Sequence, residues 1–379
     1  MEITDIGGVL CNGIKEGKYG LGLVRVRGSI AGVFTQNKIR AAPVIVCEEN
    51  IRDGVVEGVI VNSGNANAYT GEQGMRDARE MCRIAANLLG CEERRVAVAS
   101  TGVIGRKLDM EWIRKKAPEV YSGLGNSVEN AERFGRAIVT TDRFVKKAYS
   151  EKARIAAVAK GAGMIAPNMA TMLCFAFTSA KFDSGELYDM LRRAADKTFN
   201  RLTVDGDTST NDTVLLISTG KERVERDVFE EELCSVFYSI AKQMARDGEG
   251  ATKVFEVRVD GARNDEDANL IARAVASSLL VKTAIFGCDP NWGRIIAAAG
   301  YSGADVDERI TLSLSDGRDE VFLIDSGRPL GNEERARVLM EKAEELVIRL
   351  RLEKGNGKGF AIGCDLTYDY VKLNAEYTT

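Results

Sequence analysis

The stretch KGAGMIAPNMATMLCFAFTSA, residues 160–180, sets a hydroxyl, Thr171, where a glycine-rich approach meets an apolar run. Lys160, Gly161, Gly163, Pro167 and Asn168 are turn and loop formers. Residues 172–177 are almost continuously apolar, as a buried strand is. Thr171 at that join is either a nucleophile or one of the many threonines that begin strands. A nucleophilic hydroxyl needs a base. The chain contains no histidine, so a Ser-His-Asp triad, a Cys-His pair and any histidine-ligated metal are excluded within it. A lysine, a carboxylate or an α-amino group remains. Lys160 is a cation that could meet a carboxylate, although most lysines are simply solvated.

Three other stretches are dense in small and polar residues. In ASTGVIG (99–105), a Thr-Gly pair after a strand could present backbone N–H groups to a developing oxyanion, because glycine permits close approach. It could equally be an ordinary turn. TVDGDTSTNDT (203–213) has three aspartates among hydroxyls but lacks the register and distal glutamate of a calcium loop. A dense hydrogen-bonded turn near a site fits it better. GCDPNWGRI (287–295) lines a pocket or anchors a loop.

The elements that must position these residues alternate in type. Short strands with glycine-rich turns are expected at 20–35 and 58–68. Met75, Ala78, Met81, Cys82, Ala85, Leu88 and Leu89 recur at helical spacing, with Gly90 as the stop. Residues 94–105 read as a strand running into a Ser-Thr-Gly turn. Helices are expected at 184–200, 227–248, 265–280 and 333–355, the last carrying a polar face of alternating charge. A strand is expected at 213–219, and a strand pair or one long strand at 251–262. The mixture gives sheets covered by helices, α+β or α/β.

At 379 residues the chain is too long for one ordinary core, so two domains or one large layered domain are expected. A composition 45% hydrophobic and 28% charged is globular rather than disordered. The net charge of −4 gives no reason to expect nucleic acid or an anionic membrane as partner. The amino terminus lacks a signal-peptide pattern, and no segment reaches 18 uninterrupted apolar residues. The eight cysteines contain no C-x-x-C pair, which suggests reduced, mostly buried thiols and a cytoplasmic protein.

Taken together and in this order, GVFTQNKIRAAPV, VNSGNANA, STGVIG, KGAGMIAPNMATML, TVDGDTSTNDT, GCDPNWGRI and the ending GCDLTYDYVKLNAEYTT resemble the ornithine acetyltransferase (glutamate N-acetyltransferase) family of arginine biosynthesis. The resemblance implies an α/β (α+β) fold: a layered αββα sandwich like that of N-terminal-nucleophile hydrolases, plus a second, smaller α/β domain. It implies self-cleavage between Ala170 and Thr171, giving an α chain, 1–170, and a β chain, 171–379. The two chains would interleave in the fold and assemble as α2β2.

The activity implied is transfer of the acetyl group of N-acetylornithine to glutamate through an acetyl-Thr171 intermediate. The new α-amine would serve as base. Thr101 and Gly102 would stabilise the oxyanion. Lys160, Glu249, Asn374 and Thr379 match substrate-binding positions. The family's T-T-D-T segment reads TTDRF here, so Thr140 or Thr141 is the carried-over binding threonine, with Arg143 in place of the last threonine. No cofactor or metal is implied. Some family members also use acetyl-CoA as a co-substrate and others only recycle acetyl groups; the sequence leaves both open. A self-cleaving aminopeptidase with the same Thr171, releasing its product to water, is the alternative enzyme. A binding protein with a degenerate site is the non-catalytic one.

Overall fold

The computed structural model describes residues 1–166 and 172–376. Ala170, Thr171 and Thr379 lie outside the described residues. Two compact units divide the chain, Met1–Asn200 with Asp207–Ile240, and Arg201–Gly206 with the chain from Ala241 onward.

The first unit contains β1 (Leu10–Glu16), β2 (Tyr19–Phe34), α1 (Ala42–Asn50), β3 (Val55–Asn65), α2 (Gly71–Leu89), β4 (Val96–Val103), α3 (Met110–Ser122) and α4 (Val128–Ile138). It continues through β5 (Lys146–Ser150), β6 (Ile155–Lys160), β7 (Leu173–Ala180), α5 (Ser184–Lys197), β8 (Thr213–Glu222) and most of α6 (Arg226–Arg246). Its sheet runs β4-β3-β2-β8-β7-β6-β5, with β1 also on β2. The residues expected as short strands at 20–35 form one strand, β2. Its first half pairs with β1 and β3 and its last six residues with β8. The β2–β3 register breaks between Arg25 and Gly28. Bulges of this kind let a strand pass from one layer of a sandwich to the other. α2 ends as its spacing requires, on Gly90 in the left-handed conformation (φ 72°).

β7 begins just after residues 167–171 and ties the chain that follows them to the chain that precedes them. All eight of its residues are buried. It runs antiparallel to β6 and parallel to β8. A strand flanked on both edges and covered on both faces must be apolar throughout, and LCFAFTSA nearly is. Phe175 meets Phe134 of α4 edge-on, ring centroids 5.7 Å apart. Residues on both sides of position 171 thus share one sheet, and the boundary between the units does not fall there.

The second unit contains β9 (Val254–Ala262), α7 (Asp265–Ser277), α8 (Leu279–Phe286), α9 (Trp292–Gly300), β10 (Thr311–Ser315), β11 (Glu320–Asp325) and β12 (Arg328–Pro329). It ends with α10 (Glu333–Lys342), β13 (Glu345–Arg351), β14 (Gly357–Cys364) and α11 (Tyr368–Glu376). The sheet order is β12-β11-β10-β13-β9-β14.

Here the expected helix over 333–355 is corrected. Only α10 is helical. Glu345–Arg351 is a strand between β10 and β9, burying Leu346, Ile348 and Leu350 at period two. Lys253 Nζ donates to the carbonyls of Met340 and Ala343 (2.8 and 2.7 Å), closing the end of α10. The helix expected over 265–280 also stops early, because Ser278 begins α8 by accepting the Val281 amide through its hydroxyl. Residues 251–262 yield one strand, β9, not a pair. No single helix among the described residues is long and apolar enough to cross a membrane. All eight thiols are free, and Cys11, Cys47, Cys82, Cys174 and Cys364 are buried.

Candidate active site

The end of β4 carries Thr101 and Gly102 inside the strand rather than in the turn expected after it. The β3–β4 pairing is irregular there: Gly64 faces Gly102, and Asn65 faces both Thr101 and Val103. Gly102 has φ 131°, and a Cβ on it would lie 2.3 Å from the Gly64 carbonyl carbon. Two backbones meet at van der Waals contact, and only glycine fits. Asn62 Nδ2 donates to Asn65 O (2.9 Å) and Asn65 Nδ2 to Lys107 O (2.8 Å), so buried amides hold the irregular segment.

Lys160 is corrected from a loop residue to the last residue of β6, where it is buried. Its Nζ donates to Thr101 Oγ1 at 3.4 Å and lies 3.6 Å from Asp142 Oδ2. Asp142 is the hub of this cluster. Its Oδ2 accepts the Thr140 amide (3.0 Å), and its Oδ1 accepts the Gly161 amide (2.6 Å) and Lys146 Nζ (2.5 Å). The side chains of Asp142 and Lys146 are wholly excluded from solvent. Burial works to raise the Asp142 pKa. The charges of Lys160 and Lys146 and the donated hydrogen bonds outweigh it and hold the carboxyl well below the usual range. Thr140 is therefore tied to the Lys160 cluster, whereas Thr141 is exposed.

Lys15 sits nearby and was not legible from sequence. Its Nζ donates to Val139 O (2.6 Å) and Ser63 Oγ (2.8 Å). Burial, then repulsion by Lys160, brings its pKa down to about 8 against the pull of Asp142.

The turn before β8 joins the two halves of this arrangement, as the dense turn expected over 203–213 would. Asn211 Nδ2 donates to Ala66 O (2.6 Å) and Ser100 O (2.9 Å). Asp212 Oδ1 accepts the amide of Met172 (3.0 Å), the residue after Thr171. Asp212 is fully buried, and its Oδ2 finds no hydrogen-bond partner among the described residues. Burial raises its pKa well above the ordinary value; the Met172 amide and the charge of Lys160 oppose this without overcoming it. Sequence reasoning placed a turn here but nominated neither residue. Their only signal was the density of Asp, Asn, Ser and Thr.

In the second unit, Glu249 and Asn374 come together: Asn374 Nδ2 donates to Glu249 Oε2 (2.9 Å) and to Tyr370 O (3.0 Å). Thr367 Oγ1 donates to Gly250 O (2.7 Å). A Cβ on Gly250 (φ 70°) would lie 2.4 Å from the Tyr370 amide, so the loop bearing Glu249 packs directly on α11. Asp365 fastens the next residues by accepting the amides of Thr252 (2.9 Å) and Lys253 (3.0 Å). Trp292 of the 287–295 motif opens α9 with Asn291 as its N-cap, the anchoring reading of that stretch. Among the described residues no cluster of cysteine and acid side chains could hold a metal.

The family model for the ArgJ family matches residues 7–379. The chain belongs to the ArgJ family. Its curated relatives include a glutamate N-acetyltransferase of Methanosarcina mazei, 52% identical over 390 residues, covering 100% of this chain and 98% of that protein. The arginine biosynthesis bifunctional protein ArgJ of Symbiobacterium thermophilum is 45% identical, covering 97% and 94%. Among solved structures, the ArgJ of Bacillus halodurans matches with 45% identity and a TM-score of 0.50, over 54% of this chain and 98% of that chain. A Mycobacterium tuberculosis ornithine acetyltransferase complexed with ornithine matches at 31% identity and TM-score 0.40, over 44% and 94%.

Proposed function

We propose that this chain is an acetyltransferase of arginine biosynthesis that moves the acetyl group of N-acetylornithine to glutamate, and that Thr171 carries the acetyl group between them. The observation that carries the reading is similarity over 100% of this chain, at 52% identity, to a curated glutamate N-acetyltransferase.

Thr171 first acts on its own chain. Its Oγ attacks the Ala170 carbonyl, the peptide bond becomes an ester, and water hydrolyses the ester. Ala170 is left with a carboxylate and Thr171 with a free α-amine. The expected β chain has 209 residues (379 − 170), 55% of the sequence. The solved Bacillus halodurans chain, nearly all of which is matched, spans 54% of this one. That length supports the cut.

The α-amine, with an unperturbed pKa of roughly 8, takes the Oγ proton near neutral pH without histidine. Thr171 then attacks the acetyl carbonyl and ornithine leaves. Glutamate attacks the acetyl ester and departs as N-acetylglutamate. Thr101 and Gly102 serve the two oxyanions; one such donor is worth roughly 3 kcal/mol. Lys160 takes a substrate carboxylate, pre-oriented by Asp142. Thr140, Glu249, Asn374 and Thr379 carry the remaining binding roles; Thr140 is preferred over Thr141 because its amide is bound to Asp142.

The chemistry requires no cofactor. Relatives at 46–52% identity bear the single-activity name and those at 43–46% the bifunctional one, which favours acetyl recycling over use of acetyl-CoA. The working form is read as a cytoplasmic α2β2 assembly.

Incubating the protein with N-acetylornithine and glutamate tests the reading. Ornithine and N-acetylglutamate in equal amounts support it; release of acetate or peptide hydrolysis without transfer supports the hydrolase instead.

A further inference from the structure

We propose that Asn211 and Asp212 form a two-sided positioning device, in which one residue holds the oxyanion strand, the next holds the nucleophile strand, and the single peptide link between them sets the spacing of the two. The inference rests on the functional reading above.

The two residues are consecutive, and their side chains serve different elements. Asn211 Nδ2 binds Ser100 O and Ala66 O at 2.9 and 2.6 Å. Ser100 precedes Thr101, and Ala66 follows the irregular β3 segment against which Gly102 packs. Asp212 Oδ1 binds the Met172 amide at 3.0 Å. Met172 is covalently next to Thr171, and its carbonyl accepts the Thr213 amide (3.1 Å), so it is held from both sides.

The device is itself rigid. Asn211 N donates to Ser209 Oγ (3.1 Å) and Thr210 Oγ1 to Asn211 Oδ1 (2.6 Å). Thr35 binds the turn twice, through Oγ1 to Ser209 O (2.6 Å) and through its amide to Asp212 O (3.1 Å). Both residues are buried, so these bonds do not compete with water.

An attack that builds an oxyanion needs its nucleophile and its donors in register within a fraction of an ångström; a misplacement near 1 Å costs about 100-fold. Asparagine, with the same shape as Asp212 and the same acceptor for the Met172 amide, can replace it; alanine cannot.

The test compares full-length wild type, Asp212→Ala, Asp212→Asn and Asn211→Ser for the rate of precursor cleavage and for kcat and KM of acetyl transfer. Asp212→Ala is expected to slow both cleavage and kcat by about 100-fold with KM for N-acetylornithine little changed, and Asp212→Asn to recover most of the loss. If Asp212→Ala does not fold, Asn211→Ser decides, because its short hydroxyl cannot reach both carbonyls; kcat should fall at least tenfold at constant KM.

Wild-type rates in Asp212→Ala, or in Asn211→Ser, would overturn the proposal. So would an Asp212→Asn defect as deep as that of Asp212→Ala, which would make the carboxyl a proton donor or acceptor instead. A wild-type protein that neither cuts itself nor transfers acetyl would defeat the functional reading itself and is a separate result.

Discussion

Replacing Asp142 with asparagine keeps the side chain's shape and removes one negative charge. Around that charge the structure places Lys146 Nζ at 2.5 Å and Lys160 Nζ at 3.6 Å, on side chains 0% and 4% exposed. Breaking a buried pair by removing one partner costs about 3–5 kcal/mol, because the other charge stays buried. At roughly 2–4 °C per kcal/mol for a domain of this size, Tm should fall by roughly 6–20 °C. The pH dependence follows from the sign of the shift. The Asp142 pKa is depressed in the folded state, so its contribution is complete above the unfolded value near 3.9 and is lost as pH falls through the folded one. The Tm gap between wild type and Asp142→Asn should be full at pH 7 and begin to close only below about pH 4. Differential scanning calorimetry from pH 3 to 7 measures it, and KM for N-acetylornithine should rise in parallel as Lys160 loses its orientation. A variant melting within about 2 °C of wild type at pH 7, with unaltered KM, would refute the hub role of Asp142.

Gly102→Ala forces a Cβ to 2.3 Å from the Gly64 backbone at φ 131°; transfer should drop about 10²–10³-fold with a measurable loss of Tm, and an active Gly102→Ala enzyme would contradict the oxyanion assignment. Burial pushes the Cys11 and Cys47 thiols up to about 12, so at pH 8 Ellman's reagent should titrate only Cys91, Cys234 and Cys288 in the native protein and all eight in denaturant; rapid native reaction of all eight would show the cores to be open. Because β6 pairs with β7 along the whole length of β6, the cut products should co-elute on native size exclusion and separate only in denaturant; separation without denaturant would contradict the shared sheet.

Much of this was legible in the sequence where one period or one turn residue dominates. α2 follows its apolar spacing to Gly90, and β7 follows its unbroken apolar run. Misreadings arose where two periods overlap. In residues 333–355 the charged positions of α10 continue into ELVIRLR, whose alternate Leu and Ile residues suit a strand equally well; the space between β10 and β9 decides the matter, and that is a tertiary fact. α4 was not anticipated although Ser127 caps it, accepting the Asn130 amide through its hydroxyl. At the site, the proposed nucleophile, the proposed oxyanion pair and Lys160 came from motif likeness. Asp142, Lys15 and the Asn211–Asp212 pair did not, because their importance lies in which distant backbone they reach. Asn211 bonds to residues 145 and 111 positions away, and no local pattern encodes that.

The most direct test of the account is intact-mass analysis of wild type and Thr171→Ala, each before and after brief exposure to N-acetylornithine. Wild type should appear as fragments of 170 and 209 residues (379 − 170), with the larger one acetyl group heavier after exposure, and Thr171→Ala should appear as one full-length chain that gains nothing. A wild-type protein that remains whole yet transfers acetyl groups, or a Thr171→Ala variant that is cut or acetylated at the same rate, would contradict the claim that Thr171 is made a nucleophile and its own base by the cut that frees it.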